Sequence, residues 1–338
     1  MKRYVLCLLV LVAMVGLLFF TACPSPPEAP APPPPPPTEE KPPPITEPEP
    51  ETEKLPEFPL TVIDDLDRTV VIEKLPQRIV SLAPSNTEIV FALGLEDRLV
   101  GVSDYCDYPE AAKAKPRVAG YSSPDMERLV SLEPDLVLAE AIHENTVLPA
   151  LENLGLTVIV GSATSIDAVL HGISLIGEIN GKSKAAAQLA DDLTQRIEAV
   201  TLKTEGLSAE ERPGVLFVVW HDPIWTMGSE TFMDDLIWKA GGVNIFADDF
   251  EKSRVVSLEA VVAENPQIII ATGMASSINL TYNSIKQESR LRTVEAIVND
   301  QVYKISNSNL VERPGPRIVD GLEEVAKLIH PEIFGKVE

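Results

Sequence analysis

Six residues of this 338-residue chain have the types and placement to do chemistry in a cleft: Tyr105, Tyr121, Trp220, His221, Trp225 and Arg313. Tyr105 follows the apolar run VGVS, Trp220, His221 and Trp225 follow LFVV, and Arg313 follows KIS. Such runs read as buried strands, and in open α/β sheets the residues beyond strand ends face the ligand. Tyr121 stands before a short helical pattern, and Glu140 and His143 follow a fourth run, LVLA. Ring faces with one guanidinium, held between the prolines of RPGPR, suit non-covalent recognition of something large and partly flat or apolar. The chain has only three Trp, six Tyr and nine Phe, so finding several at strand ends is informative. Tyr108, beside Pro109, reads as packing, and Trp238, inside a helical pattern, as core. His143 and His221 read first as satisfied polar residues, with cleft donors or a metal ligand as the other readings.

Motifs for catalysis are missing. The sequence holds no G-x-G-x-x-G, G-x-x-x-x-G-K-[ST], H-E-x-x-H or G-x-S-x-G. Its four histidines, at 143, 171, 221 and 330, are too scattered to supply a metal site. The expectation is a binder with no catalytic residue, no metal and no cofactor.

The elements that position these residues are organised around Lys182 to Glu205. Ala186, Leu189, Ala190, Leu193, Ile197 and Val200 recur there at spacings of three and four between Gly181 and Gly206, which predicts one long amphipathic helix. The sequences on either side of it match. ERLVSLEPDLVLA (Glu127 to Ala139) and EAVVAENPQIIIA (Glu259 to Ala271) each open with Glu, place Pro seven residues later and end in a buried run. Upstream, RIVSLA leads to NTEIVFALG as GVLFVVW leads to FMDDLIWKAGG. Two matched segments in one order imply a duplicated unit. The expected fold class is α/β: two similar lobes with central, mainly parallel sheets, joined by one long rigid helix, with a ligand cleft between them. Ahead of the first lobe, Thr61 to Asp64 and Thr69 to Ile72 read as a hairpin, and Ser85 or Asn86 as the cap of the first helix.

The N-terminal segment is of another kind. Lys2 and Arg3, the apolar run Tyr4 to Phe20 and then Thr21-Ala22-Cys23 have the layout of an export signal. Between residues 24 and 59 lie 17 of the 30 prolines, a composition that stays extended as a stalk. The expected divisions are a signal peptide over 1–22, a lipidated Cys23 with its linker over 23–59, an N-terminal lobe over 60–165, a helical segment over 166–206 and a C-terminal lobe over 207–338. A net charge of −23 repels nucleic acid and anionic lipid surfaces, so neither is an expected partner of the folded body. Cys106 reads as a structural thiol, with no intrachain disulfide expected.

RIVSLAPSNTEIVFALG, GVSDYCDYP, ERLVSLEPDLVLA, GSETFMDDLIWKAGGVNIF and RPGPRIVDGLEE, taken together, resemble the helical-backbone class of ABC-importer substrate-binding proteins. Members of that class capture cobalamin, iron-siderophore complexes or haem. The likeness covers Leu60 to Phe334, and SDYCDYP with the Tyr121 region resembles the cobalamin branch, although Glu140 stands where that branch can carry Trp. FTAC resembles a lipobox, which implies an acylated Cys23 anchoring the protein to the outer face of the cell membrane. The resemblance further implies an extracytoplasmic monomer with a small-molecule ligand, a permease and its ATPase as partners, and Glu127 and Glu259 docking onto permease arginines. A corrinoid is the expected cargo. An iron-siderophore or haem carrier of the same class, or a surface sensor or adhesin module, are the alternatives.

Overall fold

The computed structural model describes residues 55–273 and 277–336. The signal over 1–22, Cys23 and the linker as far as residue 54 lie outside the described residues. The hairpin comes first, β1 (Leu60–Ile63) pairing antiparallel with β2 (Thr69–Ile72). Its turn is closed by the buried Asp64 carboxylate, which accepts from the N–H groups of Leu66 and Arg68 at 3.2 Å each and from Val160 at 3.0 Å. That last bond ties the hairpin to the first lobe.

The first lobe follows as β3 (Ile79–Ser81), α1 (Pro84–Ala92), β4 (Leu99–Val102), α2 (Met126–Ser131), β5 (Leu136–Glu140), α3 (Val147–Asn153) and β6 (Val158–Gly161). Its four-stranded sheet is parallel throughout, in the order β4-β3-β5-β6. β5 lies inside this sheet with Leu136 to Ala139 all buried, as a strand covered on both faces requires. The linking elements are α4 (Ile166–Ile179) and α5 (Ser183–Thr204), the latter within one residue of the expected helix at each end.

The second lobe repeats the plan with an addition. It runs β7 (Gly214–Val218), β8 (Trp220–His221), β9 (Ile224–Met227), α6 (Phe232–Lys239), β10 (Val243–Asn244), β11 (Ser253–Val256), α7 (Leu258–Glu264) and β12 (Ile268–Ala271). Then come α8 (Ile278–Gln287), α9 (Glu295–Val298), β13 (Val302–Lys304), α10 (Asn309–Glu312), α11 (Ile318–Ile329) and α12 (Pro331–Phe334). The main sheet, β10-β7-β12-β13, is again parallel, and in both lobes the first strand lies between the second and third with the fourth outside. β8, β9 and β11 form a separate antiparallel sheet in the order β11-β9-β8. Truncating Ile270, fully buried on β12, to Ala costs about 2–5 kcal/mol by the usual penalty for a core cavity.

One hydrophobic core runs through both lobes. It joins Ile79, Leu136 and Leu138 of the first sheet to Phe217, Ile268 and Ile270 of the second by way of Ile173, Leu193, Ile197 and Leu322. Arg196 of α5 clamps α11 by donating to both oxygens of Glu323 at 2.9 Å and to Asp320 at 2.6 Å.

Two sequence expectations need correction here. Pro84 occupies the first helical turn, so α1 begins on Ala83 with no side-chain cap, and Ser85 and Asn86 lie inside the helix. Trp238 is 56% exposed, because Arg212 covers its ring at 4.0 Å instead of core residues. Cys106, read as a structural thiol, is fully buried beside Ser103 and Thr87, and burial raises its thiol above its ordinary pKa despite hydrogen bonds with both.

Candidate functional site

The end of β5 delivers Glu140 to the edge of the first sheet, and the turn from β3 into α1 brings Ser85 beside it. Ser85 Oγ donates to one oxygen of the Glu140 carboxylate and the Tyr121 hydroxyl to the other. Tyr121 itself is held by His143, which is fully buried. The Glu140 N–H donates to His143 Nδ1 at 3.0 Å, leaving Nε2–H to donate to the Tyr121 carbonyl at 2.6 Å. His143 is thus a satisfied residue that positions its neighbour, the Tyr121 ring standing edge-on to it at 5.7 Å. Burial and the adjacent Glu140 charge push the Tyr121 phenol far above its ordinary pKa, so it stays a donor.

The opposite wall comes from the second lobe. Beyond α10 the sequence Arg313-Pro314-Gly315-Pro316-Arg317 crosses to α1. A Cβ on Gly315 would stand 3.4 Å from Ser85 Cα and O, so the two backbones meet closely there and glycine suits the contact. Arg317 forks onto the buried Glu88 at 2.9 and 2.6 Å and lies 3.7 Å over the Tyr108 ring, which is therefore a stacking partner as well as packing. Burial pulls the Arg317 guanidinium down, but Glu88 more than offsets it and leaves the group above its ordinary value. Arg313 pairs with Asp107 of the first lobe. Burial acts to raise the Asp107 carboxyl, and Arg313 overrides it so that the net shift is downward.

Between these walls lies a pocket of about 540 Å³. Tyr105, Tyr121 and Glu140 line it from the first lobe, and Asn309, Glu312 and Arg313 from the second. Three of the six sequence-derived cleft residues therefore come together. Trp220, His221 and Trp225 do not join them, for a reason of register. In the added sheet Trp220 pairs with Trp225 and Trp225 with Val255, so these three share one face. His221, Ile224 and Val256 share the other, where they line a second hollow of about 670 Å³ together with Glu259, Glu288 and Arg290. His221 keeps its ring 5.0 Å from that of Trp220 but lines the second hollow rather than the interlobe pocket. Trp225 is 39% exposed, and Trp220 is fixed by donation from Nε1 to the Asp222 carbonyl at 2.9 Å.

Glu127 and Glu259 stand exposed in the first turns of α2 and α7, which are capped alike: Asp125 accepts from Arg128 N–H and Ser257 from Ala260 N–H. Glu88 and Glu312 were not singled out from sequence. Four consecutive polar residues entering a helix straight from a buried strand, and an acid directly before RPGPR, are the signals that point to them.

Residues 79–308 match the family model described as periplasmic binding protein. The chain belongs to the periplasmic binding protein family. As a member it is the substrate-binding component of an ABC importer, working outside the cytoplasm, in a family that binds solutes rather than transforming them. It is 34% identical over 285 residues to the uncharacterized ABC transporter substrate-binding lipoprotein YvrC of Bacillus subtilis, a match covering 82% of this chain and 87% of that one. It is 31% identical over 250 residues to the vitamin B12-binding protein of Vibrio cholerae, covering 74% and 87%. The crystal structure of the Vibrio cholerae periplasmic vitamin B12-binding protein BtuF superposes with TM-score 0.67 at 29% identity, over 75% of this chain and 97% of that one. A possible iron-binding periplasmic protein of Staphylococcus epidermidis superposes with TM-score 0.64 at 31% identity, over 76% and 100%.

Proposed function

We propose that the pocket between the lobes captures a corrinoid and that the protein delivers it to a membrane permease served by an ATPase. The observation that carries this reading is the charge of the pocket. Arg313 is its one cation among the described residues, and Asp107 already meets that charge. Haem propionates or an anionic ferric complex need unpaired cations, whereas a corrinoid presents a broad, largely uncharged ring rimmed by amides. Tyr105 and Tyr121 offer ring surface to the macrocycle. Relatives named for cobalamin or vitamin B12 binding, in Halobacterium salinarum as well as Vibrio cholerae, lend support.

A pocket of about 540 Å³ is smaller than a whole corrinoid, so it clasps one side of the ligand. The Trp220–Trp225 row, added beyond β7, offers further aromatic surface on the second lobe. With one core through both lobes and two ion pairs across the cleft, the site is largely preformed. Glu127 and Glu259, one per lobe, give the permease a two-point electrostatic register. Cys23 carries the lipid, residues 24–59 act as the stalk, and the protein works as a monomer.

Calorimetric titration of the purified protein with cyanocobalamin, cobinamide, haemin and a ferric hydroxamate tests the cargo. Corrinoid binding at about micromolar Kd or tighter is the expected result. Saturable binding of an iron complex with no response to either corrinoid would replace the cargo and keep the importer.

A further inference from the structure

We propose that Glu140 and Glu312 make the pocket a reader of hydrogen-bond donors, admitting a corrinoid edge that carries primary amides and rejecting the same edge when an amide is a carboxylate. The proposal rests on the corrinoid reading above. It starts from the lining: two carboxylates enter the pocket from opposite lobes, and its one cation among the described residues, Arg313, is paired with Asp107.

Each oxygen of Glu140 accepts one hydroxyl, from Ser85 or from Tyr121. A carboxylate oxygen has two lone pairs, so each retains acceptor capacity once its neighbour has fixed its direction. The hydroxyls cannot reverse roles while Glu140 is ionised, because a carboxylate only accepts. Glu312 lines the pocket from the other lobe, with its Oε1 buried against the Thr272 hydroxyl. Burial raises the Glu312 carboxyl above its ordinary pKa, with Thr272 and Arg313 opposing. Both acids therefore keep acceptor capacity for N–H donors of a ligand, while Arg313, the pocket's one cation among the described residues, is paired with Asp107.

A primary amide brings two N–H donors to such a site. A carboxylate in its place brings none, and adds a like charge beside Glu140 and Glu312 in a partly water-excluded pocket. Rejection of this sort discriminates between ligands of nearly identical shape.

The experiment is equilibrium dialysis, read by corrinoid absorbance, of cyanocobalamin and its singly hydrolysed isomers, each with one peripheral amide converted to a carboxylate. Native protein, Glu140→Gln and Glu312→Gln are compared at pH 7. Native protein is expected to bind cyanocobalamin about tenfold or more tightly than at least one isomer. Each glutamine variant is expected to narrow that ratio severalfold, chiefly by gaining affinity for the acid. Should Glu140→Gln fail to fold, the native ratio and Glu312→Gln carry the test. Equal binding of amide and every acid by native protein overturns the proposal alone, and so does a large ratio that neither variant changes. Absence of binding by all corrinoids overturns the cargo reading beneath it, a result distinguishable from equal binding.

Discussion

The two lobes share a strand order and differ in what they add to it. In the first, β3 passes straight into α1, so Ser85, Tyr121 and Glu140 form a closed cluster at the sheet edge. In the second, β7 leads into β8 and β9 before α6 begins, and the wall facing the pocket comes instead from α10 and the turn after it. What stayed matched lies outside: α2 and α7 keep the same cap geometry and the same exposed Glu. A partner that meets both lobes at once favours matched positions, while a ligand gripped from two sides favours unlike walls. The symmetric features therefore suit docking and the asymmetric ones suit recognition.

The comparison is tested most severely at its symmetric end. Reversing both charges, Glu127→Lys with Glu259→Lys, is expected to reduce cellular uptake to background while ligand affinity stays within about twofold. A loss of affinity instead would move these acids from docking to binding. Next in size is the clasp between the lobes. Arg317→Met leaves Glu88 buried without its partner and is expected to cost about 3 kcal/mol, read as a lowered midpoint in urea unfolding. An unchanged midpoint would mean the lobes are held by the shared core alone.

Smaller effects sharpen the unlike walls. Tyr121→Phe removes one donor from Glu140 and is expected to weaken corrinoid binding by roughly 1 kcal/mol, about fivefold. Trp225→Ala should cost less, since that ring stands beyond the pocket; a larger loss than at Tyr121 would shift the ligand toward the added sheet. The smallest effect concerns pH. The Glu312 pKa is raised in the folded state, so its stabilising share is fully present below the unfolded value of 4.5 and is lost as pH rises through the folded one. Glu312→Gln should therefore melt higher than native protein at neutral pH and lose that advantage toward pH 4. An advantage that is constant with pH would place the effect elsewhere.

Much of this architecture was legible because it rests on local periodicity. The long helix α5 and the duplicated Glu-to-Pro segment both follow from apolar spacing, which packing then enforced. The site was half legible. Tyr105 and Arg313 follow from the rule of strand ends and Tyr121 from its place ahead of a helical pattern, and the pocket gathers all three. A two-residue strand gives no pattern from which to read the face that His221 takes; only its pairing with Ile224 fixes that. The partners of the arginines were not readable at all, since Asp107 and Arg313, like Glu88 and Arg317, meet only when the two lobes close on one another.

The most direct test is a crystal structure of the protein with cyanocobalamin. The corrin ring is expected between Tyr105 and Tyr121 on one side and the Arg313–Pro314 turn on the other, with peripheral amides toward Glu140 and Glu312. A corrinoid seated in the hollow beside Glu259, or density for none at saturating ligand, would contradict the assignment of the interlobe pocket as the solute site.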